Sequence, residues 1–263
     1  IVSANGRPVR SNEDLTAAIQ AAGGAPLTVV YRRSGARHTA TLTPTADENG
    51  HYKAGVWVRD SGAGIGTMSF VDPHRGTFAG LGHSISDADT GADLTLLSGE
   101  IVPVTITGCI RGAAGSPGEL RGEFAAAPAG TVLANDAAGV YGSYTGSCTA
   151  PALPVANLQE VTPGEAELWT TVLGTTAQPY TIQVERVTMT GSDPNRNLLI
   201  RVTDKRLLDA TGGVVQGMSG SPIVQNGRLA AVLTHVLVND PSRGYAIFAT
   251  TMLEKADAVA SSK

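Results

Sequence analysis

From residue 55 to the C-terminus the chain repeats one pattern, a short β-type run followed by a turn. "GVWVRD", "GTMSFVD", "GTFAGLGHSI", "EIVPVTITGCI", "GTVLAND", "PYTIQVERVTM", "NLLIRVTD", "SPIVQ", "GRLAAVLTHVLV" and "GYAIFAT" are continuously apolar or alternate with period two. Turn formers such as "DPHRG", "AGSPGE" and "SDPNRN" lie between them. Runs this short satisfy their backbones only by pairing with one another, and many in succession predict a β-barrel or a pair of barrels. Only the tail, "TTMLEKADAVA", reads as a helix, packed on the barrel. The fold class expected is mostly β.

The first 44 residues follow a different rule. In "SNEDLTAAIQAAGG", Ser11 is placed to cap a helix with Asp14 three residues on, Leu15, Ala18 and Ile19 share one face, and Gly23 and Gly24 stop it. "PLTVVYRRSGARHTATLTP" then gives two β runs around a turn at Gly35. With "ANGRPV" before the helix, this order resembles the second half of a PDZ domain. The strand and loop that bind peptide in such domains precede the helix, so the segment reads as a half-module or packing appendage without an intact peptide site. The domain expectation is a partial PDZ-like α+β segment over 1–44, a polar linker over 45–54 containing "TADENGHY", and a larger domain over 55–263. Ile1 opens in the middle of a strand-and-turn pattern, as a processed or truncated chain would.

Composition removes several function classes. With 42% hydrophobic and 16% charged residues the chain can bury a substantial core. A net charge of −4, without a basic cluster interleaved with aromatics, provides no field for nucleic acid. No apolar run reaches the roughly 18 residues of a membrane span, and no secretory signal opens the chain. The histidines at 38, 51, 74, 83 and 235 are scattered, with no HExxH or paired CxxC, so neither a metal nor a cofactor is expected. "GAGIGT" from Gly62 to Thr67 imitates a dinucleotide fingerprint, but a strand-like "MSFVD" follows where that chemistry needs a helix. Cys109 and Cys148 are compatible with one disulfide or two thiols.

The chemistry concentrates in "GVVQGMSGSPIVQNGRLAAVLTH", Gly213 to His235. A serine hydroxyl is a poor nucleophile at neutral pH and needs a base for its proton and N–H donors for the oxyanion. Around Ser219 the donors are at hand: the N–H groups of Gly217 and Ser219 can share one concavity, because glycine tolerates the backbone angles and adds no side chain. An ordinary Gly/Ser turn is the alternative. "GMSGSP" resembles the "GDSGGP" nucleophile turn of chymotrypsin-like serine proteases, departing at Met218 and Ser221. The candidate base is His83 in "FAGLGHSISDADTG", at the end of an apolar run. His235 is its rival, although its alternation with core-facing neighbours reads as a buried, hydrogen-bonded histidine. The strand carrying His235 offers an edge for a substrate backbone, with Tyr245 and Asn239 as candidate pocket residues.

"SGAGIGTMSFVDPHRGTFAGLGHSISDADTG", "PGEL" and "VTDKRLLDATGGVVQGMSGSPIVQNGRLAAVLTHVLVNDPSRGY" closely resemble, in the same order, the stage IV sporulation protein B peptidase family. The resemblance implies a chymotrypsin-like double β-barrel serine peptidase preceded by a PDZ domain. It implies His83 as general base, Ser219 as nucleophile, Asp204 in "VTDK" as the residue orienting the histidine, and Gly217 and Ser219 as the oxyanion hole. Asp204 falls closer to the serine than in most chymotrypsin-like enzymes, and Asp87, Asp89 and Asp93 are its rivals. By the same resemblance the protein is exported in spore-forming bacteria, into the space between forespore and mother-cell membranes. There it cuts the extracytoplasmic part of a membrane-bound regulator of an intramembrane metalloprotease, and cuts itself near its N-terminus, which offers one origin for Ile1. A quality-control protease of the HtrA type and a non-catalytic PDZ-like scaffold are the competing expectations.

Overall fold

The computed structural model describes residues 1–58, 62–87, 91–190 and 193–261. The chain divides into two units, Ile1–Ala63 and Gly64–Lys263. In the first, β1 (Ser3–Ala4), β2 (Arg7–Pro8), α1 (Asn12–Ala22), β3 (Leu27–Arg33) and β4 (Ala36–Leu42) form a four-stranded sheet in the order β2-β1-β3-β4 beside the helix. Ser11 caps α1 by accepting from the Asp14 N–H, and Gly23 ends it at φ +56°, where a residue with a Cβ is disfavoured. Leu15 and Ile19 of the helix pack on Ala4, Leu27 and Val29.

Residues 45–54 do not run as a free linker. β5 (Thr45–Ala46) and β6 (Tyr52–Lys53) pair as a hairpin. The Asp47 carboxylate makes the turn, accepting from the N–H groups of Asn49 and His51 and pairing with Lys53 at 3.1 Å. The hairpin is fastened to α1: Gln20 Nε2–H donates to Tyr52 O and the Tyr52 N–H donates to Gln20 Oε1. "GVWVRD" is not a strand over its described residues; Trp57 stands fully exposed there, without a neighbouring strand to pair with.

The second unit has two sheets. β7 (Met68–Asp72), β8 (Thr77–Gly80), β9 (Glu100–Ile101), β12 (Gly130–Asp136) and β13 (Gly139–Tyr144) form a five-stranded sheet in the order β7-β8-β13-β12-β9. β14 (Gly164–Thr170), β15 (Gln178–Val187), β16 (Leu198–Val202), β19 (Arg243–Phe248), β18 (Arg228–Val236) and β17 (Pro222–Gln225) close into a barrel. Of the two barrels expected, one is closed and the other is an open sheet. The reason is β10 (Val104–Ile110) and β11 (Glu119–Phe124), which pair with each other and touch the rest through bridges to Gly174 and Gln216 instead of joining the five strands.

The barrel interior is a continuous apolar core from Leu168, Ile182, Leu198, Ile200, Ile223 and Leu233, all fully buried. The helical tail is present as α3 (Ala249–Ser261). Its Met252 and Ala256 pack with Ala79 and Tyr141 of the open sheet and Val232 and Ile247 of the barrel, so α3 is wedged where the two sheets meet. A further helix, α2 (Lys205–Thr211), occupies part of the stretch after β16, where no helix is expected from the sequence. Seven residues are too few to show a helical period. No described helix is long and apolar enough to cross a membrane. Cys109 and Cys148 are free thiols.

Candidate active site

The nucleophile turn lies between α2 and β17. Its carbonyls and amides are almost all engaged: Met218 N–H donates to Val215 O, Gly220 N–H to Leu233 O and Ser221 N–H to Met218 O. Gly217 N–H and Ser219 N–H alone in this turn have no acceptor among the described residues. Two unpaired donors, one on each side of Met218, are what an oxyanion hole requires. Gly217 is held at φ +96°, a conformation glycine adopts at little cost. Met218 is fully buried under the turn, so the apolar departure from "GDSGGP" serves as an anchor.

Thr67, just before β7 of the open sheet, clamps the turn from the other side. Its N–H donates to Ser219 O at 2.8 Å and its hydroxyl to Gly217 O at 3.1 Å. Leu81 N–H donates in turn to Thr67 O. This accounts for Gly66 in "GAGIGT": an added Cβ would sit 2.1 Å from the Leu81 side chain, whereas Gly64 has open space around it. Gly220, at φ +98°, is tighter still, with an added Cβ 1.9 Å from Thr67 O and 2.7 Å from Leu81 N.

His83 arrives two residues after Leu81. Leu81 itself is left-handed, at φ +66°, which is strained for a branched side chain. Gly82 follows close against Thr234 and Ile247 of the barrel. The half-buried His83 ring shares a hydrogen bond of 2.8 Å between Nδ1 and its neighbour's carbonyl, Ser84 O, which fixes Nδ1 as the protonated nitrogen and leaves Nε2 to accept. The loop behind is braced: Ser84 and Ser86 hydroxyls donate to Asp93 Oδ1, and Asn135 accepts from Ile85 N–H while donating to Ile85 O and Leu94 O. Asp93, a rival for the triad, therefore reaches His83 only through Ser84. Asp87 N–H donates to Ala92 O within the same loop. Asp89 lies outside the described residues.

Ser219 and His83 meet at one segment of β18. Ser219 Oγ–H donates to Thr234 O at 2.7 Å, and the His83 and His235 ring centroids are 4.9 Å apart at 34°. Ser219 and His83 share no hydrogen bond in this arrangement; the hydroxyl must turn from Thr234 O before the base can take its proton. Resting sites are often this loose. His235 departs from the buried, hydrogen-bonded residue expected. Register slips between Leu233 and His235, a bulge at Thr234, so alternation breaks and the His235 ring is aimed at His83 instead of the core. Thr234 takes the interior place, its hydroxyl 2.7 Å from Asn195 O and 3.0 Å from Tyr245 O, with one proton shared between the two acceptors. The His235 Nδ1 is buried with no partner, and burial, then the nearby His83, draws its pKa down to about 4. Tyr245 lies under the Arg196 guanidinium, 5.1 Å from its ring centroid, and Asn239 is exposed in the turn after β18.

Residues 50–253 match the family described as SpoIVB peptidase S55. The chain belongs to that family. As an S55 peptidase it is a serine endopeptidase, and proteins are its substrates. No curated protein matches the chain. Among solved structures it is similar to the active form of the Rv3671c protease from M. tuberculosis, 16% identical, covering 60% of this chain and 79% of that one, TM-score 0.37. It is also similar to the inactive form of the same protease, 15% identical, covering 54% and 72%, TM-score 0.36. A third is the HtrA-type protease AlgW with a decapeptide, 13% identical, TM-score 0.38, covering 74% of this chain and 62% of that one.

One residue that the S55 resemblance assigns to the triad is elsewhere in the structure. Asp204 shares no hydrogen bond with His83. It caps α2 by accepting from Arg206 N–H, pairs with the Arg206 guanidinium at 2.7 Å and accepts from Thr181 N–H. Register explains the separation. His235 is level with Tyr245 and so with Leu199, whereas Asp204 comes five residues further along and past β16, roughly 16 Å at the strand rise. The Arg206 hydrogen bonds hold its pKa at about 2, against an ordinary 3.8. A carboxylate with a depressed pKa contributes stability that is present above pH 4 and lost as pH falls toward 2. Asp204→Asn keeps the cap but loses the ion pair. Because Arg206 is two-thirds exposed, the expected loss is about 1 kcal/mol at pH 7, shrinking toward zero near pH 2, read from urea midpoints at both pH values. In this geometry Ser219 stays reactive in Asp204→Asn; a drop near 10⁴-fold would instead show that the carboxylate leaves its cap and reaches His83.

Proposed function

We propose that the chain is a regulatory endopeptidase of a sporulation signalling cascade. It cuts the extracytoplasmic segment of a membrane-bound regulator of an intramembrane metalloprotease, in the space between forespore and mother-cell membranes, and it cuts itself. The ordered run of motifs from "AGIGT" to "THVLVNDP" supports the pathway reading.

One observation supports the mechanism: Ser219 and His83 contact adjacent residues of β18, Thr234 and His235, and the N–H groups of Gly217 and Ser219 are unpaired. Ser219 Oγ attacks the scissile carbonyl carbon as His83 Nε2 takes its proton. The carbonyl π electrons move onto oxygen, where the two N–H groups receive the charge, each such donor worth about 2.7–4 kcal/mol. The imidazolium keeps its Nδ1–H on Ser84 O and delivers the Nε2 proton to the leaving amine as the C–N bond breaks. Water then repeats the steps on the acyl-enzyme.

A fluorophosphonate probe tests this directly. Ser219 displaces fluoride and forms an O–P bond, so intact-mass and peptide analysis should place one adduct on Ser219. His83→Ala should slow labelling by at least about 10²-fold, the lower end of general-base contributions. A folded protein that acquires no adduct at Ser219 removes the reading.

A further inference from the structure

The two imidazoles side by side are not explained by the roles above. Base and nucleophile come from different sheets, yet they touch adjacent residues of β18, Ser219 the carbonyl of Thr234 and His83 the ring of His235. The register slips at Thr234, and bulges recur where a side chain must be re-aimed. The re-aimed side chain leaves a buried nitrogen without a partner, a feature that asks for a functional explanation.

We propose that His235 is a positioning residue for the peptidase reaction, its flat ring backing the His83 imidazole and holding it at the angle from which Nε2 meets the Ser219 hydroxyl. The inference rests on His83 acting as the base for Ser219. His83 is otherwise held only at one edge, by Ser84 O, and a single edge contact leaves the ring free to rock about that bond. Contact with a second ring at 4.9 Å removes that freedom. The backing ring must also be uncharged, because His83 becomes an imidazolium during turnover and a second cation at this distance would oppose it. The His235 site ensures neutrality: it is half-buried, its Nδ1 has no acceptor for a proton, and Arg196 counters the attraction of Asp193.

The test uses the whole chain and a fluorophosphonate probe at several concentrations, so that the maximal labelling rate at Ser219 separates from probe affinity. His235→Leu fills the space without a flat face, and His235→Phe restores a flat, uncharged ring that lacks both nitrogens. Expected is a maximal rate lower by about 10- to 100-fold in His235→Leu with half-saturation unchanged, and recovery to within about threefold of the unmodified protein in His235→Phe. A role in stability alone would shift melting temperature in both variants without this reversal. Equal rates in the two variants, whether both fast or both slow, overturn the proposal. If the unmodified protein is labelled at Ser219 and His83→Ala is no slower, the base is misassigned and the inference falls with it. If the unmodified protein is never labelled there, the serine-peptidase reading itself fails.

Discussion

Ser219→Ala should fold, melt like the unmodified protein and lose about 10⁶-fold in turnover, the size of loss found when a serine nucleophile is removed from a comparable triad. The hydroxyl makes a single hydrogen bond, to Thr234 O, and the Ser219 backbone is held independently by Thr67, so truncating the side chain leaves the turn intact. What remains should be a residual rate of about 10³–10⁴ over water, from the Gly217 and Ser219 N–H groups. The measurement is cleavage of a peptide chosen from a fluorogenic library, with fluorophosphonate labelling in parallel. A variant that keeps even one-hundredth of the activity would move the nucleophile to another residue.

Gly220→Ala should do structural damage out of proportion to one methyl group. Its Cβ would be driven to 1.9 Å from Thr67 O, and φ +98° is unavailable to alanine without strain. Neither neighbour can yield as a side chain would, since Thr67 O accepts from Leu81 N–H and Thr67 N–H donates to Ser219 O. The expected loss exceeds about 4 kcal/mol, the range reserved for named failures of packing or backbone geometry. Urea denaturation should show an early transition, and Ser219 should be unreactive even where the variant remains folded. By contrast, Gly6 and Gly35 also have positive φ but open space around them, and alanine there should cost only the strain of that conformation, about 1 kcal/mol.

The parts of the site legible in the sequence are those that depend on local backbone chemistry. Ser11 and Gly23 fix the ends of α1 by capping, and the Gly217–Ser219 pair announces unpaired donors, because both effects act within a few residues. His83 and Ser219, paired by the order of motifs around them, contact neighbouring residues of β18. What escaped depends on strand register and on contacts between residues far apart in the chain. The bulge at Thr234 inverts the face expected for His235, and no feature of "VLTHVLV" marks which residue is the extra one. Asp204 misled for a related reason: an Asp before a short polar stretch is equally suited to capping a helix, and α2 is too brief to declare itself. The brace of Asn135 on the His83 loop joins residues 50 positions apart, and its only trace in the sequence is an asparagine near a strand end.

The seat of α3 bears on how the two halves of the site depend on each other. Met252 and Ala256 fill the junction between the open sheet that brings His83 and the barrel that brings Ser219. His83 follows a strand of one sheet and Ser219 precedes a strand of the other, so loss of the α3 packing loosens base and nucleophile together, and the two depend on one common wedge.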